Sequence, residues 1–475
     1  MKAYLTMLED SECEQIHAAT LELLETIGVS VASDDVAAHL ASKGAMVIDD
    51  LVRFPRKMVE EALEMRDRKI LFAAMDDRRS FAIPHKNTTF NATSGFDIYY
   101  YPEPGKPRRL SNARDLAKVA SLADAVEEID FFWPTVMPTE ETSVPLQEIQ
   151  ALNVSARHTG KHIECSCTTA EAARWEVRLA EALAGGSEEL RKRPIISACS
   201  WPTSPLGFEK GTAEAFSVLA AAGVPITPMG VPLAGATAPA TYAGTLTIAN
   251  AEVLASLIIA KSYNPDESVI YSTDICSVDI ETGDFSYVDP DSDYDLFSVA
   301  SADMARFYDM PSSVAHGSNE RKEIVSLDAL MNNVNRQAYN QSTRSDLSVW
   351  IGGTDNSLAT SIWDIMLDVE ALRYAKPYCK EPLVNSRTIA LPLIAEVGPH
   401  GEFLSCRQTN ENYPNEMNVL DPAESYLFED DGRDYIQKAY EKGLEVLERA
   451  NPYMLDESIT AELDKLMESA RRELG

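Results

Sequence analysis

Directly after several short β-rich runs the sequence sets rings and acids: Phe96, Asp97, Tyr99, Trp133, Glu164, Trp201, Asp274 and Asp355. Rings and carboxyls gathered at one mouth suit a cationic ligand. A quaternary ammonium has no N–H to donate, so only ring faces and diffuse negative potential can hold it. Each residue also has a structural alternative. Trp133 and Trp201 could pack under loops, and Asp274 and Asp355 could cap the helices that follow. Asp97 could only shape a hairpin, since FDIYYYPEPGKPRRL reads as two strands around a Pro-Glu-Pro-Gly turn. His316 serves equally as a hydrogen-bonded structural histidine or as a base.

Other chemistries are weaker. Seven cysteines are scattered along the chain, an odd number that argues for reduced thiols over a disulfide framework. Cys165 and Cys167, in ECSC, share one face of a strand and lack evident His partners, so buried thiols are favoured over a metal pair. CxxC and HExxH do not occur, and zinc is not demanded. A lyase or hydrolase acting through Glu164, Asp274 or His316 remains open, as does a zinc-thiolate transferase on the two cysteines.

The elements that must position these residues are legible from the apolar pattern. The strand candidates are TTFNATSGF, DFFWPTV, KHIECSC, PIISACS, VPITPMG, SVIYSTD, SSVAHGS and LSVWIGG, each followed by an amphipathic helical run. Eight alternating units, none edged by charge or proline, suit a closed parallel (β/α)8 TIM barrel over residues 87–380. Residues 1–86 read as an N-terminal helical cap, with EQIHAATLELLETIG stopping at Gly28. Residues 381–475 read as a C-terminal extension, ending in two helices broken near Asn451-Pro452.

Composition bounds the partners. The 475 residues are 45% apolar, enough for a large core, and carry a formal charge of −33. That field repels nucleic acid and anionic membranes and otherwise serves solubility. We expect no membrane span. MKAYLTMLEDSECEQ lacks a basic-then-apolar leader pattern, so a cytoplasmic protein is expected. The apolar C-terminal helix hints at a homo-oligomer.

One stretch is unlike the rest. Residues 228–243, PMGVPLAGATAPATYA, carry no charge and fall where strand five meets helix five. Small residues let a backbone approach a flat surface closely, and the prolines keep the loop extended. A rim of this kind can receive something broad and rigid; the alternative is a tightly packed loop.

PLAGATAPATYAGTLTIANAEVLA resembles the corresponding segment of the trimethylamine methyltransferase family. SGFDIYYYPEPGKPRRLSNARDLAKVASLAD resembles that family's first strand and helix. HGSN and WIGGTDNSLATSIWDIMLDVEALRYAK resemble its seventh and eighth units. The resemblance spans about residues 10–410. It implies a (β/α)8 barrel that passes a methyl group from a methylamine to cobalamin on a separate corrinoid protein. Met229, Gly230, Leu233, Gly235, Ala236 and Thr237 would then lie on the face that meets the corrinoid. Methanogen members carry pyrrolysine near the end of strand seven. Residues 315–319 here read AHGSN, which resembles the non-pyrrolysine branch that includes glycine betaine methyltransferases. A second departure is GEFLSCRQTNENYPNEMN, where relatives are rich in His, Thr and Arg.

The chemistry of the leaving group agrees. A quaternary ammonium that loses a methyl leaves as a neutral tertiary amine and needs no acid, whereas a tertiary amine must first be protonated or activated. Phe96, Tyr99, Trp133 and Trp201 are the expected cage, with Asp97 or Asp274 shaping the potential. A betaine carboxylate would take donors from His316, Asn319 and the backbone of Gly352, Gly353 and Thr354, with Arg321 a weaker candidate. A relative that binds quaternary amines without catalysis is the alternative.

Overall fold

The computed structural model describes residues 4–85, 88–279, 281–283, 292–315, 327–376, 383–416, 425–428, 431–451 and 453–475. Seven parallel strands form one sheet: β1 (Phe90–Thr93), β3 (Ile163–Ser166), β4 (Ile196–Ser200), β5 (Ile226–Gly230), β6 (Tyr271–Thr273), β7 (Ser312–Ala315) and β8 (Leu347–Ile351). Residues 131–132 supply the missing β2. Parallel bridges Ala92–Phe131 and Phe132–Ile163 tie it to β1 and β3 and close the ring. β2 is short because Pro134 has no N–H to donate. A side chain stands in for the ladder: the Thr93 hydroxyl donates to the Trp133 carbonyl at 2.6 Å and accepts from the Trp133 N–H at 3.1 Å.

The helices between strands follow in order: α1 (Ala113–Ala125), α2 (Val144–His158), α3 (Ala170–Ala184), α4 (Lys210–Ala222), α5 (Tyr242–Tyr263), α6 (Ser292–Tyr308), α7 (Leu327–Thr343) and, after β8, α8 (Ile362–Ala375). Their starts are set locally. Asn112 and Asp115 form a capping box at α1, and Thr169, Thr241 and Ser361 cap α3, α5 and α8.

Helix α5 is apolar on every side. It is long and apolar enough to cross a membrane by length and composition, but 78% of its most apolar window is buried in the fold. Its inner face packs on β5 and β6, and helices Asp10–Thr26 and Arg56–Glu64 of the N-terminal region cover it from outside. A helix clothed on both sides has no need of a polar stripe. Asn250 pins the layers together: its amide donates to Thr20 and Tyr308 hydroxyls, both at 2.8 Å, and its carbonyl accepts from Tyr271.

The N-terminal region is mixed rather than purely helical. Strands Val29–Val31, Met46–Ile48 and Leu51–Arg53 form a small sheet with Gly207–Phe208, which comes from the segment between β4 and α4. Hairpin Ile70–Phe72/Phe81–Ile83 closes the N-terminal end of the barrel, where the Phe72, Phe81, Phe90 and Phe131 rings pack with centroid separations of 3.9–6.1 Å. At the C-terminus, Tyr435–Arg449 packs on α1 and α8, and Glu457–Leu474 packs on α2 and α3.

Candidate functional site at the C-terminal ends of the strands

Three of the rings expected at the mouth are brought together. Phe96 lies 4.8 Å from Trp201 and 6.0 Å from Trp133, and Trp133 and Trp201 are near-parallel at 6.2 Å between centroids. Trp133 is wholly buried, while Phe96 is 38% exposed and Trp201 half-buried. Phe96 and Trp201 therefore present the accessible surface, and Trp133 backs them. The backing ring is fixed twice. Its indole N–H donates to the Ser166 hydroxyl at 3.0 Å. A Cβ on Gly95 would fall 2.1 Å from the ring, so only glycine admits this close approach.

The fourth ring is Trp350, which the sequence pattern hid. On β8, Leu347 and Val349 face the barrel interior and Ile351 faces the helix layer. Strict alternation would send Trp350 outward. Instead Ser348 pairs with Asn91 and Ile351 with Thr93, so three steps on β8 match two on β1. Trp350 takes φ 96° at this bulge. The extra residue turns its indole inward, 5.2 Å from Trp133.

Tyr99 does not join the cluster. It pairs with Ala359 and Leu110 in a four-stranded sheet that joins the segments after β1 and β8. The Arg108 guanidinium lies 4.2 Å from its ring centre, so the protein's own cation already sits on it. Arg108 in turn pairs with Asp355 at 2.8 Å, which also accepts from Tyr101 at 2.6 Å. This arrangement holds Asp355, Asn356 and Ser357, three successive residues with positive φ.

The acids divide. Asp97 is fully buried, accepts from Ser94 at 3.2 Å, and is locked by backbone bonds to Thr135 and Met137. Burial first, then Asp364 and Asp355, raise its carboxyl well above the usual range, so it braces a turn rather than supplying charge. Glu164 and Asp274 are different. Glu164 reaches across the barrel to accept from the Thr227 hydroxyl at 2.7 Å, and Asp274 accepts from the Tyr294 hydroxyl at 2.6 Å. Burial raises them to about 7 and about 6 respectively. Both act on the Cys199 thiol, which lies in the same interior cluster as Trp133 and Trp350. Among the described residues neither acid has a Lys, Arg or His ion-pair partner.

The remaining expectations resolve individually. The Gly352 N–H donates to Asp368 at 2.6 Å and is not open to a ligand. Gly353 and Thr354 pair with Thr360 and Ala359. His316, Asn319 and Arg321 lie outside the described residues. Cys165 and Cys167 face the helix layer beside Glu148 and Glu176; burial and those acids push both thiols up. Among the described residues no three His, Cys, Asp or Glu side chains cluster as metal ligands do.

The charge-free stretch leaves β5 at the same end as the rings. Met229 and Gly230 are buried strand residues, and a Cβ on Gly230 would meet the Glu252 carboxylate at 2.4 Å, so they do not form an outer surface. Beyond them the loop turns on itself. The N–H groups of Ala236, Thr237 and Ala238 converge on the Leu233 carbonyl, and the Thr237 hydroxyl accepts from the Leu233 N–H. Gly235, Ala236, Pro239, Ala240 and Ala243 are exposed, with Leu233 and Thr237 half-buried. Leu233 pairs with Cys276, anchoring the loop to the segment after β6.

A family model described as trimethylamine methyltransferase matches residues 2–475. The chain is 26% identical over 480 residues to a trimethylamine methyltransferase of Desulfitobacterium hafniense strain DCB-2, covering 99% of this chain and 95% of that one. It is 25% identical over 472 residues to the glycine betaine methyltransferase of Desulfitobacterium hafniense strain Y51, covering 99% and 98%. The fold is similar to the crystal structure of the Methanosarcina barkeri monomethylamine methyltransferase, with TM-score 0.54, 10% identity, and coverage of 98% of this chain and 89% of that one. The chain thus belongs to the trimethylamine methyltransferase family and is a methyltransferase.

Proposed function

We propose that the protein moves a methyl group from a quaternary amine, glycine betaine or a similar betaine, to cobalamin carried on a separate corrinoid protein. The observation that carries this reading is the juxtaposition of two surfaces at one end of the barrel: the ring cluster of Phe96, Trp133, Trp201 and Trp350, and the exposed charge-free loop 231–243. The ring faces suit an ammonium that cannot donate a hydrogen bond. Glu164 and Asp274 add negative potential that strengthens as they ionise.

The loop fits a broad, flat partner. Its backbone donors are turned inward, so the outer surface offers methyl and methylene groups without side chains that would hold a macrocycle away. Leu233, Gly235, Ala236 and Thr237 are the residues that would meet it. Cobalamin, when bound, supplies the nucleophilic cobalt that accepts the methyl.

The chain's own task is positioning and exclusion of water. The rings orient the ammonium so that one methyl faces the loop, and no acid is required because a tertiary amine leaves neutral. Binding must stay moderate: the positive charge disappears as the C–N bond breaks, so an interaction that holds the cation tightly opposes the reaction. Two raised carboxyls suit this better than a fully ionised cage. A cytoplasmic location and assembly with further copies belong to the same proposal.

The test is to supply candidate betaines with Co(I) cobalamin, free and on a carrier protein, and follow the absorbance change that accompanies methylation. Methylation with a betaine is expected. Its absence with every quaternary amine contradicts the proposal.

A further inference from the structure

Trp350 does more than add a ring. Its indole nitrogen is buried, with the residue 4% exposed, yet has no hydrogen-bond partner among the described residues. A buried donor left unpaired is costly and uncommon. The neighbouring Trp133 shows the ordinary solution, its N–H satisfied by Ser166. Trp350 is also held where it is by backbone irregularity, a bulge and φ 96°. Without the bulge, alternation would turn this side chain toward the helices. A strained backbone that holds a buried, unpaired donor beside the ring cluster is the pattern expected of a recognition group.

We infer that Trp350 reads the anionic end of the substrate: its N–H donates to a carboxylate oxygen, while the neighbouring rings hold the quaternary ammonium. This inference rests on the betaine reading above and assigns the donor that meets the carboxylate. Of the backbone donors expected at this end, the Gly352 N–H is taken by Asp368, and Gly353 and Thr354 pair with Thr360 and Ala359. Arg108 is engaged with Tyr99 and Asp355. A neutral donor also suits a barrel whose interior carboxyls are drawn toward neutrality. A zwitterion brings its own counter-charge and adds no net charge.

The experiment compares two probes by calorimetry, glycine betaine and tetramethylammonium, on the wild-type chain and on Trp350→Phe. Phenylalanine keeps a ring face and removes the N–H. The expected result is a loss of betaine affinity of roughly tenfold to a hundredfold, the range for a hydrogen bond to a charged group. Tetramethylammonium affinity should change by no more than about twofold to threefold, because the ring face persists. A second readout uses the wild-type chain carrying 15N in its tryptophan side chains. The indole resonance absent from Trp350→Phe should move on addition of glycine betaine and stay in place with tetramethylammonium. Equal losses for the two probes, with a resonance that moves with both or neither, would make Trp350 a packing residue and overturn the inference. An unchanged betaine affinity overturns it as well. Should the variant bind neither probe, the wild-type resonance decides: movement with betaine alone upholds the role, and any other pattern refutes it. If the wild-type chain binds neither probe, the quaternary-amine reading itself has failed, and this inference falls with it.

Discussion

The two ends of the barrel gather different side chains. At the N-terminal end, Lys161 is 5% exposed and its ammonium donates to the carbonyls of Ala123, Val126 and Ile129 at 2.5–2.7 Å. His162 is bonded through both ring nitrogens, to the Ala73 carbonyl and the Ser197 hydroxyl. Arg79 pairs with Asp124 at 2.5 Å. At the C-terminal end, the Trp350 N–H and one oxygen of Asp97 have no partner among the described residues. Among the described residues Glu164 and Asp274 lack an ion-pair partner, and four rings pack together. The N-terminal groups named here are tied into the fold, although Arg66, Glu267 and Asn340 near that end each keep a buried atom without a partner, whereas the rings and the carboxyls without a cation gather at the end where barrels of this kind generally carry their sites.

The largest effect that sharpens this contrast lies at the secured end. Lys161→Met strands three buried carbonyls, each costing about 1 kcal/mol, so stability should fall by about 3 kcal/mol. Denaturant unfolding measures this. Tetramethylammonium affinity should be unchanged at a temperature where the variant is folded. A loss of affinity equal to that of a ring deletion would break the division between the ends.

The next effect lies at the open end and depends on pH. Burial raises the Glu164 carboxyl from 4.5 to about 7 in the fold. The unfolded chain therefore releases this proton first, and the contribution of Glu164 to stability falls as pH rises from about 4.5 to about 7, then levels. Asp274 acts with the same sign between 3.8 and about 6. Glu164→Gln should make the upper part of that slope shallower in unfolding measured across pH, without abolishing it, because burial also raises Glu252 to about 7. Tetramethylammonium affinity should rise in the wild type as the pH passes through about 7 and stay flatter in the variant. A wild-type affinity independent of pH would remove these acids from the site.

The smallest effect concerns the loop. Ala236 is exposed, so Ala236→Trp should alter stability by no more than about 0.5 kcal/mol. Betaine affinity should hold while the rate of methyl transfer to a carrier-bound cobalamin falls several-fold. Transfer at the wild-type rate would remove the loop from the docking face.

Much of this was legible in the sequence, for identifiable reasons. The eight strand–helix units were readable because short β-rich runs alternate with helical runs in a regular order. Phe96, Trp133 and Trp201 were readable because they follow strand ends directly. Trp350 was not, since Val349, Trp350 and Ile351 form a continuous apolar run that does not say which of them faces inward, and a bulge leaves no mark on such a run. Tyr99 was misplaced because Arg108, nine residues on, folds back onto it through a hairpin. The N-terminal region read as helical because its strands are three residues long, too short for alternation to register. Gly352 looked like an open donor because its partner, Asp368, lies one helix further along.

The most direct measurement compares choline with its uncharged isostere 3,3-dimethylbutanol by calorimetry on the wild-type chain. The two differ only in replacing the quaternary nitrogen by carbon, so shape and apolar area are matched. If the ring cluster recognises a permanent positive charge, choline binds about tenfold tighter or better. Equal affinities would mean that the rings recognise only apolar shape, and the cation site proposed at the barrel mouth would be wrong.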